Sequence, residues 1–289
     1  MSGMAEGLRD EPPEPRPHPG VAEDPDCVVD SVVVDTVEGV DAAVGALTGI
    51  PAVAIDLEGI DLGQFGRIAT LQLCGSPRGR VYIIDVAVLG AAAFTPALRG
   101  LLEAPVVPRK IFFDCRCDTA ALRFQFDVTV PASSIIDIQL LDVAAAAARG
   151  RALRQLGGLG WLFDRTYHAG MTHAERSRMA AVKGAARATF APERGGSYEA
   201  WLVRPLPPVL VEYATDVRYF HTIWYSLAEA ARGPPPGVCG ALVSATARRC
   251  AEALEPGFDG ADREARVAID AQLAAELAES GTWVLAARS

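Results

Sequence analysis

At 289 residues and 50% hydrophobic content, the chain can bury a sizeable core as one large domain or two small ones. Its formal net charge of −9 weighs against a general nucleic-acid coat protein, but leaves room for an enzyme that meets nucleic acid on one basic surface. The longest uncharged runs, such as 42–55 and 233–247, are too short and too interrupted by prolines or glycines for a membrane span, so no membrane association is expected.

In chain order, residues 1–27 are rich in Pro, Glu and Asp and read as a disordered acidic tail. The tail has no charged-then-apolar leader, and the six cysteines show no paired CxxC spacing. Both fit a soluble, intracellular protein with reduced thiols, its compartment left open. A first strand is expected over 28–34 and a short helix over 37–47. Three strands then follow in close order at 52–56, 67–74 and 81–86, joined by glycine-containing turns that fit hairpins. A helix over 94–102, a strand over 110–113, a helix over 119–126, a strand over 134–138 and an alanine-rich helix to Arg149 come next. Strands joined first by hairpins and then by helices predict an α/β fold, a mixed sheet with helices packed on it.

Residues 149–204 hold ten Lys or Arg against four acids, a local +6 on an acidic protein. Helical pieces are expected there at 153–162 and 173–182. The stretch is a candidate phosphate-contacting region or simply a solvated face. A long helix is predicted over 209–231, ended by Gly233-Pro234-Pro235-Pro236-Gly237. Helices at 241–254 and 262–277 complete the chain. The organisation is therefore a tail at 1–27, a main domain at 28–232 and a C-terminal helical extension at 238–289.

Three acidic stretches carry the chemistry: Asp56-Leu57-Glu58, Asp114-Cys115-Arg116-Cys117-Asp118 and Glu212-Tyr213-Ala214-Thr215-Asp216. Alternate residues of a strand share a face, so Asp56 and Glu58 present two carboxylates side by side. Neighbouring carboxylates repel unless a cation sits between them, and hard oxygen ligands suit Mg²⁺ or Mn²⁺. Each acid alone has a plainer reading: sheet-edge acids at 56 and 58, a helix cap at 118, an exposed helix acid at 216. Asp114 is the better cap candidate and stays outside the metal set. Cys115 and Cys117 read as packing residues, His221 as structural, and His168 and His173 as surface groups. Gathered together, four acids suit two-metal phosphodiester hydrolysis.

The order of these acids resembles that of the 3′–5′ exonucleases of the DEDD superfamily, most closely the ribonuclease D and Werner-type branch. Glu58-Gly59 with Leu62-Gly63, Gly66 and Leu71-Gln72-Leu73 is similar to that family's first motif region. Lys110-Ile111 with Asp114-Cys115-Arg116, Asp118 and Ala121-Leu122 resembles the second. Ile135-Ile136-Asp137-Ile138-Gln139 resembles the strand that follows. Arg204-Pro205-Leu206-Pro207, with Tyr213 and Asp216-Val217-Arg218-Tyr219, resembles the run into the third.

The resemblance implies a ribonuclease H-like fold with a mixed five- to six-stranded sheet. It also implies a 3′–5′ exonuclease that uses two Mg²⁺ or Mn²⁺ ions on single-stranded RNA or DNA, RNA slightly favoured. Asp56 would bridge both ions, Glu58 and Asp216 would complete the water-activating site, and Asp118 would hold the second ion through water. Lys183 and Arg187, one helical turn apart, are the candidates for nucleic-acid backbone contacts.

The third motif departs from the family pattern. Where a tyrosine is expected four residues before the last aspartate stands Glu212, and Tyr213 follows one place later. Three outcomes are open. Tyr213 reaches the water through a local distortion such as a π-type turn, Glu212 serves as base, or catalysis is weakened. The last would favour the alternative of an exonuclease-like RNA-binding or adaptor module.

Overall fold

The computed structural model describes residues 30–279, apart from 78, 107, 150, 152, 154, 167–172, 232–236, 261 and 263–267. The predicted tail, His168 and the Gly-Pro break after Ala231 therefore lie outside the described residues, save Gly237.

Six strands form one sheet: β1 (Ser31–Val34), β2 (Ala52–Ile60), β3 (Arg67–Cys74), β4 (Val81–Asp85), β5 (Arg109–Phe112) and β6 (Ile135–Asp137), in the order β1-β4-β3-β2-β5-β6. The short connections after β2 and β3 can only return antiparallel, and β2, β3 and β4 pair that way. β5 and β6 come back by way of helices and run parallel to β2. β2 continues four residues beyond the predicted end, so Asp56 and Glu58 lie inside a paired strand and not at its tip.

Strand alternation divides the core between two faces. Val53, Ile55 and Leu57 point to one face, with α1 (Val37–Ala46), α3 (Pro96–Glu103) and α4 (Arg116–Phe126) over it; the single-turn helix α2 (Val86–Leu89) leads from β4 towards α3. Ala52 and Ala54 point to the other. There α5 (Ile138–Ala148), α6 (Leu159–Thr166), α7 (His173–Phe190), α8 (Pro208–Ala214) and α9 (Tyr219–Ala230) pack around the fully buried Trp201 and Phe220. Asp56 and Glu58 share the parity of Ala52 and Ala54. The pleat therefore directs both carboxylates towards the α7–α9 side.

The predicted helix over 209–231 is two helices. A 3-10 turn, Thr215–Arg218, separates α8 from α9 and contains Asp216. Helix α7 runs on to Phe190, well past the expected end at 182.

The C-terminal helices α10 (Val238–Glu252) and α11 (Ala271–Glu279) pack on α5 through Leu140, Val143, Ala241, Ala245, Leu273 and Leu277. Among the described residues, no single helix is long and apolar enough to cross a membrane.

Candidate active site

The site lies where β5 ends beside β2. Ala54 pairs with Ile111, after which β5 has one residue left, so by Asp56 the neighbouring strand has ended and the chain is turning into α4. That turn opens space for the start of α4, which carries Asp118 on its first turn. The carboxyl ends of strands are the usual place for such a crevice in α/β sheets. Immediately after Glu58 the β2–β3 register shifts, and a Cβ at Gly59 would collide with the Arg67 carbonyl oxygen. Glycine there lets β3 approach closely and leaves Glu58 at the kink.

Electrostatics shows which acids the fold has gathered. Burial, reinforced by the charge of Asp216, lifts the Asp56 carboxyl from the usual carboxylate range to about 7. Glu58 is pushed well above its ordinary value by burial first, and then by Asp56, Asp118 and Asp216. Asp216 is raised by burial against the opposing pull of Lys183. Asp56, Glu58, Asp118 and Asp216, distant in sequence, thus act on one another across one cleft.

Such mutual repulsion is costly unless positive charge enters, and oxygen donors suit a hard divalent cation. Among the described residues, no three His, Cys, Asp or Glu side chains stand in the tight grouping of a preformed cage. The donor chemistry nevertheless fits Mg²⁺ or Mn²⁺, because such an ion keeps several waters and needs few direct protein ligands.

The winding around Asp216 sets the tyrosine. The Thr215 hydroxyl donates to the Glu212 carbonyl at 2.7 Å, and the Thr215 N–H turns to the same carbonyl three residues back. The chain then continues as the 3-10 turn. At three residues per turn, positions i and i+3 eclipse, which puts Tyr213 on the side of Asp216. The distortion is tighter than an α-helix, in place of the wider π-type turn that was one of the open possibilities. Tyr213 accordingly feels Glu58, Asp216 and Asp56, which together with burial, the larger effect, raise its phenol above its ordinary value and keep it protonated. Its ring packs edge-on against Phe190, with centroids 5.3 Å apart, and against Trp201 at 6.2 Å. Glu212 instead turns outward, its Oε1 3.4 Å from Nη2 of Arg178 on α7.

The basic residues of α7 come closer to the chemistry than a backbone-contacting role requires. Lys183 Nζ lies 3.0 Å from Asp216 Oδ2 and 4.2 Å from the Phe163 ring centre. Arg187 exerts a positive influence on both Tyr213 and Asp216. His221 is buried, and its Nε2 donates to the Cys74 carbonyl at 2.9 Å, away from the acids.

Asp114 is not a cap. The N-cap of α4 is Cys115, without a side-chain bond, and Asp114 takes positive φ (54°) while pairing with Arg116 at 2.7 and 3.0 Å. The side chain that receives the free N–H groups is Asp137, from Asp114 at 3.2 Å and Cys115 at 3.4 Å. Sequence reasoning missed that role. Asp137 stands in a motif noted for resemblance, but nothing local tied it to residues 114 and 115.

A family model described as 3′–5′ exonuclease matches residues 31–159. The crystal structure of Trypanosoma brucei RNase D is similar at 27% identity and a TM-score of 0.66, covering 86% of this chain and 81% of that one. The same protein in complex with RNA U12 gives 28% identity and a TM-score of 0.65, over 85% and 78% of the two chains. Escherichia coli RNase D, at 19% identity and a TM-score of 0.56 over 78% and 51%, shares the fold. The piRNA biogenesis protein EXD1 of Mus musculus is 26% identical over 164 residues, 55% of this chain and 26% of EXD1. Its counterpart in Danio rerio is 27% identical over 167 residues, 54% of this chain and 39% of that protein. The chain therefore spans less than half the length of these curated relatives. With the mixed sheet and the gathered acids, these likenesses agree: residues 31–159 are similar to a 3′–5′ exonuclease domain, and the chain has a fold like that of ribonuclease D.

Proposed function

We propose that the chain is a metal-dependent 3′–5′ exonuclease acting on single-stranded nucleic acid, RNA ahead of DNA. One observation carries this reading: four carboxylates from β2, α4 and the 3-10 turn influence one another across a cleft that Tyr213 also faces. A binding module would have no use for four repelling acids held together at one half-buried site. The RNA complex of the trypanosomal relative supports RNA as the polymer.

Asp56, Glu58, Asp118 and Asp216 would hold the ions. When bound, two divalent ions supply positive charge at the attacking and leaving oxygens of the phosphodiester. The remaining work belongs to the chain. The Tyr213 hydroxyl, its pKa raised above the ordinary value by burial first and then by the acids, orients the attacking water by hydrogen bonding. Phe190 and Trp201 fix its ring. Lys183 and Arg187 face the same cleft and would receive the phosphates of the substrate's last nucleotides, relieving part of the acids' repulsion of an anionic strand. An end-directed enzyme needs its terminal nucleotides unstacked, which favours a single strand or frayed end.

Glu212 at the expected tyrosine position favours a second reading, an exonuclease-like RNA-binding module with weakened catalysis. Competition between 5′-labelled single-stranded RNA and DNA of one sequence, with free or blocked 3′ ends, separates the readings. The exonuclease shortens free 3′ ends, RNA faster. A binding module shifts both polymers on a gel and shortens neither.

A further inference from the structure

We propose that Arg249, on a helix outside the matched exonuclease segment, is a positioning residue for Asp118 and acts through Asp137. The proposal rests on the exonuclease reading of the acid site and names a part of its framework.

Asp137 is the hub. Its side chain is fully buried and accepts from four directions: the Asp114 and Cys115 N–H groups, the Gln139 N–H at 3.0 Å and Arg249 Nη1 at 2.6 Å. The other arm of the Arg249 fork donates to Gln139 Oε1 at 2.9 Å. A carboxylate in that position needs a countercharge, and Arg249 lies closest; Arg116 is turned onto Asp114. Arg249 Nη1 also stands 3.7 Å from Asp114 Oδ1.

The geometry downstream is short. The turn Asp114–Cys115, held by Asp137, starts α4, and Asp118 follows three residues past the Cys115 cap. A shift of that turn moves the Asp118 carboxylate directly, since a helix transmits displacement along its axis as a rigid body.

The neighbouring contacts make the same stretch of chain a brace for both acid-bearing elements. Cys250 Sγ is 4.0 Å from Cys115 Sγ, and Glu252 lies 3.6 Å from Arg116. Cys117 Sγ faces the Gly260 carbonyl at 3.8 Å. On the other side of the cleft, Gln64, in the loop that follows Glu58 and its strand, donates to the carbonyls of Ala253 at 3.0 Å and Glu255 at 2.8 Å. Residues 249–260 thus touch the start of α4 and the loop leaving β2. Arg249 is the one charged group among them that reaches the buried hub.

The test uses the full chain with Arg249→Met, Arg249→Lys and Asp118→Asn. Mn²⁺ binding is read by electron paramagnetic resonance, and kcat and KM are read separately on 5′-labelled RNA. Losing an outer partner of a ligand typically costs about 10–100-fold in metal affinity or activity. We expect Arg249→Met to weaken Mn²⁺ binding in the manner of Asp118→Asn. We also expect it to lower kcat by about that factor with KM nearly unchanged, and Arg249→Lys to recover part. Wild-type Mn²⁺ affinity and kcat in a variant that merely melts earlier would overturn the proposal. If Arg249→Met does not fold, Arg249→Lys decides, because lysine keeps the charge without the fork: reduced Mn²⁺ affinity supports positioning and wild-type affinity refutes it. The Mn²⁺ measurement stands even if the wild type proves to have no nuclease activity, so failure of the exonuclease reading and failure of this proposal are told apart.

Discussion

Asp56 and Glu58 show how far a residue-level argument reaches. Their spacing in an apolar strand determines a shared face, and the fold adds Asp118 and Asp216 to that face. Spacing alone did not decide between Glu212 and Tyr213, because in a regular helix the two flank Asp216, i−4 about 40° to one side and i−3 about 60° to the other. The tight winding at Thr215 separates them, turning Tyr213 towards the acids and Glu212 towards Arg178. Tyr213→Phe should therefore lower kcat by about 10²-fold, the scale of a lost proton-handling or water-orienting group. Glu212→Gln should change it by less than about twofold, since it breaks only an exposed ion pair. Steady-state rates on labelled RNA check both. Asp137 and Arg249 were invisible at this scale because their pairing spans 112 residues and leaves no local pattern.

At the level of elements, strands and their pairing were largely legible: short glycine-containing links imply hairpins, and alternation assigns faces. The break between α8 and α9 was not, because apolar periodicity runs through both helices and a four-residue 3-10 turn barely perturbs it. Thr215 held the only local hint, a hydroxyl able to bond back to a helix carbonyl. β2 carries a second element-scale constraint at Gly59. A methyl group there meets the backbone of β3, so Gly59→Ala should destabilise the fold by roughly 1–3 kcal/mol, the usual cost of overpacking. Because the bulge sets Glu58, the same variant should lose activity beyond what its unfolded fraction explains. Urea denaturation alongside rate measurements at low temperature separates the two effects.

For the whole molecule, the C-terminal helices looked like an appendage because their sequence carries no chemistry of its own. Their packing on α5 and the Arg249 link became visible only once the chain was folded. The acid cleft also couples to global stability. Folding raises Asp56 from near 4 to about 7, so the folded state binds that proton more tightly than the unfolded chain. Its contribution to stability is full below the unfolded value and is lost as pH rises through about 7. A divalent ion competes with that proton. The rise in Tm on replacing EDTA with Mg²⁺ should therefore grow between about pH 5.5 and about pH 8. An Mg²⁺-induced rise independent of pH would contradict the coupling, and scanning calorimetry across that range reads it.

The central claim is that the gathered acids perform 3′–5′ cleavage. The most direct measurement follows 5′-labelled single-stranded RNA with Mg²⁺ in the presence of wild-type protein or Asp56→Asn. The account predicts a ladder shortening from the 3′ end with the wild type, and intact RNA with the variant and with EDTA. Equal shortening by both proteins would contradict it, as would stable RNA complexes with both and shortening by neither.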